Sequence, residues 1–81
     1  MEEIGMKDLV MYMAQALVDH PEQVEVNAVE GESSVILELK VAQDDVGKVI
    51  GKGGQTAKAM RKVLSAAATK LKKKSMLQII E

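Results

Sequence analysis

Four glycines fall within eight residues, at positions 47, 51, 53 and 54, with Lys48 and Lys52 interleaved and Lys58 close behind. Glycine has no Cβ, so a backbone rich in it turns tightly and lets a second backbone approach. Where a helix follows such a turn, its first N–H groups lack intrahelical partners and the positive end of its dipole faces outward, a combination that attracts phosphate. The lysines add full positive charge. This run can therefore grip an anion by its backbone rather than act through a reactive side chain.

Two nucleotide-binding patterns are excluded. A Walker-type loop needs glycine six positions before Lys52, where Val46 stands, and Ser or Thr after the lysine, where Gly53 stands. A dinucleotide fingerprint beginning Gly51-Lys52-Gly53 needs a third glycine at Thr56 and a preceding first strand of a β-α-β unit. The remaining alternative is a glycine-rich turn between helices that serves compactness alone.

The rest of the chain offers little for catalysis. Cysteine is absent and His20 is the lone imidazole, so no disulfide framework, thiolate metal site or histidine ligand pair can form. His20 reads as a plain loop residue. Ser33 and Ser34 fall in a turn, and no acid pair shares a helix face with a base. An enzyme is not expected, and no catalytic residue, metal, cofactor or small-molecule substrate is assigned. Glu2, Glu3, Glu30, Glu32, Asp44 and Asp45 read as solvated surface and helix caps.

The elements that must position the glycine run follow from apolar spacing. Met6, Leu9, Val10, Met13 and Leu17 recur at helical intervals and predict a helix over 6–18, stopped by Asp19-His20-Pro21. Val24, Val26 and Ala28 alternate with polar residues and predict a strand over 23–29, while Val35, Leu37, Leu39 and Val41 predict another over 34–41. Glu30-Gly31-Glu32-Ser33 suits a hairpin, with Gly31 free to adopt positive φ. Asp44 or Asp45 is expected to cap a short helix over 45–50. A longer helix from Gln55 to Leu71 carries Ala57, Met60, Val63, Leu64, Ala67 and Leu71 on one stripe. Lys72-Lys73-Lys74-Ser75 reads as a loop, and Met76–Ile80 as a last strand.

The order α-β-β-α-α-β predicts an α+β fold: a three-stranded mixed sheet with helices packed on one face and the last strand parallel to its predecessor. At 81 residues the chain is read as one domain over 1–81. It is 47% apolar, yet Phe and Trp are absent and Tyr12 is the sole aromatic, so the core must be aliphatic and methionine-rich. The acidic opening residues and the lack of a long apolar run predict a soluble, cytoplasmic protein with no signal peptide and no membrane partner.

The net charge of −1 conceals a division. Residues 1–45 carry two lysines against eleven acids, for −9, whereas residues 46–81 carry nine cations against Glu81 alone, for +8. A polyanion would meet a basic face and an acidic back.

With these residues in place, the run Val46-Gly47-Lys48-Val49-Ile50-Gly51-Lys52-Gly53-Gly54 resembles the signature of the KH domain family, whose Gly-x-x-Gly loop clamps a nucleic-acid backbone. The element order resembles the type II, bacterial arrangement. The chain as a whole, including Ala16–Asp19 and Ala57–Arg61, is similar to the small bacterial single-KH RNA-binding proteins of the KhpA type.

The resemblance implies non-catalytic binding of single-stranded RNA, in the service of an RNA chaperone or post-transcriptional regulator. Gly51, Lys52, Gly53 and Gly54 would hold the phosphates, with Val46 and Gly47 as one wall of a groove and Leu37–Lys40 as the other. Lys48, Gln55 and Lys58 complete the candidate RNA-binding set, and Ile50 is expected in the core. Where relatives often carry a basic residue directly after the turn, this chain has Gln55; where they carry two isoleucines in the next helix, it has Ala57 and Met60, which makes the groove shallower.

Arg61, Lys62 and Lys70 read as a solvated helix face, and Lys72, Lys73 and Lys74 as an electrostatic collar. One KH domain holds about four nucleotides, and without aromatics to stack bases it binds weakly. A homodimer, or a complex with another KH-containing protein, would supply affinity through effective concentration. The rival reading is a protein-interaction module that retains the KH fold and docks a basic partner on its acidic half.

Overall fold

The computed structural model describes residues 5–80; Glu2 and Glu3 lie outside them. The elements run α1 (Met6–Leu17), β1 (Glu25–Glu30), β2 (Ser34–Lys40), α2 (Val46–Ile50), α3 (Gln55–Lys70) and β3 (Lys74–Ile80), with single 3₁₀ turns at Pro21–Gln23, Gln43–Asp45 and Lys52–Gly54. The expected α-β-β-α-α-β order is the one observed.

The sheet has the order β1-β2-β3. β1 and β2 form an antiparallel hairpin that sets Val26 opposite Leu39 and Ala28 opposite Leu37. β3 joins β2 in parallel, with Leu77 opposite Leu37 and Ile79 opposite Leu39. A parallel pairing needs a long crossover, and α2 with α3 supplies it. The alternation of β2 puts Val35, Leu37 and Leu39 beneath the helices, where all three are fully buried. They meet Val10 from α1, Val49 from α2 and Leu64 from α3 in a single aliphatic core. Each such side chain contributes roughly 1.5–3 kcal/mol relative to exposure.

Several local expectations are corrected. On α3 the buried stripe is Ala57, Met60, Leu64 and Ala68. Val63 and Leu71 stay 47% and 46% exposed, because Val63 falls on the flank of that stripe and Leu71 lies past the last helical turn. On α1 the buried row is Met6, Val10 and Ala14, and Leu17 faces outward. The hairpin closes through the Gly31 N–H, which donates to the Ser34 carbonyl at 2.8 Å. Gly31 does not use positive φ; among described glycines only Gly51, Gly53 and Gly54 do.

The lysine run is not a plain loop. Lys72 adopts φ 59°; its N–H donates to the Thr69 carbonyl at 3.0 Å and that of Lys73 to Ala68 at 2.9 Å, the pattern of a Schellman cap. Lys73 then turns back to Glu30, 3.7 Å away, and Lys74 opens β3.

Candidate functional site

The glycine turn is built by three positive-φ residues in four. α2 ends where the Gly51 N–H donates to the Gly47 carbonyl at 2.9 Å. Gly51 then takes φ 77°, ψ 171°, a region open essentially to glycine alone. A Cβ there would stand 2.7 Å from Thr56 Cβ and 2.8 Å from the Thr56 nitrogen. Gly53 (φ 64°) and Gly54 (φ 76°) complete the reversal, with open space where each Cβ would be. Lys52 and Gly53 are exposed on this turn. α3 starts at Gln55, itself exposed, with no side-chain cap on its first turn; the Gly54 N–H donates to the Gly51 carbonyl at 3.1 Å and the Gln55 N–H to that of Lys52, so the turn is held by its own backbone.

Gly47 behaves differently. It lies inside α2, is exposed, has no positive φ, and meets nothing within 4 Å of a would-be Cβ. The fold therefore has no need of glycine at this position. Val49, not Ile50, carries the core contact of α2: Val49 is fully buried, whereas Ile50, about 100° further round the short helix, is half-buried. Val46 packs against the edge of the core.

Lys48 is engaged within the protein. Its Nζ donates to Asp19 Oδ2 at 2.8 Å, across 29 residues of sequence. That bond and the charge of Lys48 hold the Asp19 carboxyl below the ordinary 3.8, and Asp19 likewise raises the Lys48 ammonium above 10.5. The loop carrying Asp19 is in turn pinned by Asp45. Expected as a solvated cap on α2, Asp45 makes no such cap. It is 1% exposed, and its carboxylate accepts the backbone N–H groups of Asp19 at 3.2 Å and His20 at 3.0 Å. Lys52 and Lys58 are both exposed and form no ion pair among the described residues.

The expected second wall, Leu37–Lys40, is also corrected. β2 is the central strand, and Leu37 and Leu39 are buried beneath the helices. One cleft, of about 330 Å³, lies between α3 and the edge strand β3, lined by Arg61, Leu64, Ser65, Ser75, Met76 and Leu77, while Glu38 and Lys40 line another of about 310 Å³ with Glu25, Val26, Asn27 and Ile80. Arg61, expected on a solvated helix face, reaches across the α3–β3 cleft and donates from Nη2 to the Leu77 carbonyl at 3.3 Å. The signal that could have found it is the parallel crossover, which leaves β3 at an edge beside α3. A further groove of about 320 Å³ runs between α1 and α3, lined by Tyr12, Met13, Ala16, Leu17, Ala59 and Val63 among others, with Tyr12 76% exposed. Among the described residues no helix is long and apolar enough to cross a membrane.

A three-stranded mixed sheet in α-β-β-α-α-β order, with a glycine turn between the last two helices, defines a KH-type domain. The same fold is found in the crystal structure of a point variant of Aquifex aeolicus Era bound to GDP.AlF4-, with a TM-score of 0.67 and 20% identity over 91% of this chain and 29% of that one. The family model "KhpA/KhpB, KH domain" matches residues 7–79, and the chain belongs to that family. Its similarity extends over whole relatives. The RNA-binding protein KhpA of Clostridium perfringens is 59% identical over 93% of this chain and 100% of its own length. That of Caldanaerobacter subterraneus is 53% identical with the same coverage, and that of Borreliella burgdorferi is 43% identical over the full length of both.

Proposed function

We propose that this chain, as a single KH domain over residues 1–81, binds single-stranded RNA without chemistry, through the Gly51-Lys52-Gly53-Gly54 turn. The observation that carries this reading is the turn itself: three positive-φ glycines directly ahead of a 16-residue helix that has no side-chain cap, with Lys52 exposed on it. Backbone N–H groups at such a site suit phosphate oxygens. Gly47 supports the same reading, since a glycine the fold does not need is explained by the close approach of a ligand. The relatives named RNA-binding protein add to it.

The contact set is Val46, Gly47, Lys48, Gly51, Lys52, Gly53, Gly54, Gln55 and Lys58, and the α3–β3 cleft receives the bases. If three or four lysines neutralise phosphates, log K falls against log salt with a slope of roughly −2 to −3, at about −0.7 per contact. Binding of this strength calls for pairing. The apolar α1–α3 groove around Tyr12 suits a homodimer or a complex with another KH-containing protein, and the assembly would act in the cytoplasm as an RNA chaperone or post-transcriptional regulator.

The same groove favours one second reading, a protein-interaction module that has kept the fold. Lys52→Asp combined with Gly53→Asp separates the two. Aspartate tolerates left-handed backbone, so circular dichroism should be unchanged while fluorescence anisotropy on short unstructured RNA loses binding. Undiminished binding would sink the RNA reading, and partner capture that ignores both nuclease and this variant would favour the rival.

A further inference from the structure

Resting on that RNA-binding reading, we infer that Asp19 sets RNA affinity: it is an anion built into the α1–β1 loop that occupies Lys48 as a phosphate would, and RNA must displace it to use that cation. The geometry is specific. Asp19 Oδ2 lies 2.8 Å from Lys48 Nζ, the distance of a charge-assisted hydrogen bond. The placement of Asp19 is not left to a free loop, because Asp45, buried directly before α2, accepts the N–H groups of Asp19 and His20. Lys48 sits on α2 itself, so cation and carboxylate ride on one frame.

The pair is open to exchange, since the two side chains are 43% and 70% exposed. An exposed pair adds little to stability, so the fold gains little from this one. Its effect falls on the ligand. Lys52 and Lys58 meet RNA unpaired among the described residues, whereas Lys48 must first release Asp19. Asp44, exposed beside the same helix, forms no ion pair among the described residues and serves as the control acid.

The test is anisotropy with a short labelled oligouridylate and with a random single-stranded RNA pool, across a salt series. Asp19→Asn should bind about two- to fivefold tighter, the range of one exposed ion pair. Its log K against log salt should steepen by at most about 0.7, the value of one phosphate contact, because Lys48 no longer divides its charge between Asp19 and RNA. Asp44→Asn should show a smaller gain and no change of slope. In a Lys48→Met background, Asp19→Asn should give only the small gain of Asp44→Asn and leave the slope unchanged. Equal gains with and without Lys48 would reduce the effect to bulk charge and overturn the inference, as would a loss of affinity on Asp19→Asn, which would make Asp19 a positioning group. The Lys52→Asp, Gly53→Asp variant distinguishes the failures: if it binds as the parent does, the RNA reading itself falls, whereas if it is inactive and Asp19→Asn is silent, only the role of Asp19 falls.

Discussion

Arg61 on α3 and Leu77 on β3 are joined across an open cleft by a 3.3 Å hydrogen bond from the guanidinium to the backbone carbonyl. An edge strand otherwise leaves such carbonyls without a partner. The Leu77 carbonyl faces a cleft that water enters, so removing Arg61 should cost only about 0.5–1.5 kcal/mol. The planar guanidinium is also the group in this cleft best suited to stack on a base. Arg61→Ala is therefore expected to weaken RNA binding severalfold while lowering stability by no more than that amount, measured by anisotropy beside urea unfolding.

The glycines should separate by role. Gly51→Ala meets both Thr56 and a backbone region closed to alanine, and should lose about 2–4 kcal/mol. Gly53→Ala, in open space at φ 64°, should lose about 1–2 kcal/mol. Gly47→Ala should instead gain about 0.5–1 kcal/mol, as a helix-interior glycine replaced without a clash, while weakening RNA binding. Thermal melts and anisotropy on the three variants check the order.

Asp45 is a buried carboxylate serving two backbone donors. Asp45→Ala strands both N–H groups and should cost about 2–4 kcal/mol. Hydrogen exchange should show the Asp19 and His20 amides losing protection ahead of the sheet.

The Asp19–Lys48 pair has a defined pH window. Asp19 is held below 3.8 by Lys48, so its contribution is fully present above that value and is lost as pH falls through the depressed pKa. Lys48 is raised above 10.5 by Asp19, so its contribution is present below that value and is lost as pH rises through the raised pKa. The pair therefore persists across the neutral range. Carboxyl NMR titration should find the Asp19 pKa moving up in Lys48→Met, with little change in global stability.

Lys72 holds a left-handed position that glycine prefers. Lys72→Gly should raise stability by up to about 1 kcal/mol, read from the urea midpoint. Its effect on RNA affinity should be small if the collar lysines stand outside the groove.

Much of the fold is legible in the sequence because apolar periodicity reports directly on burial. The alternation of Val35, Leu37, Leu39 and Val41 and the helical recurrence of Met6, Val10, Met60 and Leu64 each match an element and its buried face. The glycine turn is legible because positive-φ backbone leaves few residue types to choose from. Val63 is misplaced by the same reasoning because a stripe on a helix is read only to within about one position; Ile50 is misplaced because its position just before the turn does not fix which of two adjacent residues faces the sheet, and packing chooses Val49.

The order of elements, the hairpin, the turn and the sign of charge around it are all written in the chain alone, since each depends on residues near one another in sequence. The pairing of Lys48 with Asp19, the conversion of Asp45 from a cap to a buried clamp, and the facing of β3 rather than β2 onto the cleft are products of the tertiary fold. Those relations join residues 16 to 29 positions apart or depend on the order of the strands. No local preference encodes them; they exist once the parallel crossover has carried α3 and β3 past the centre of the sheet.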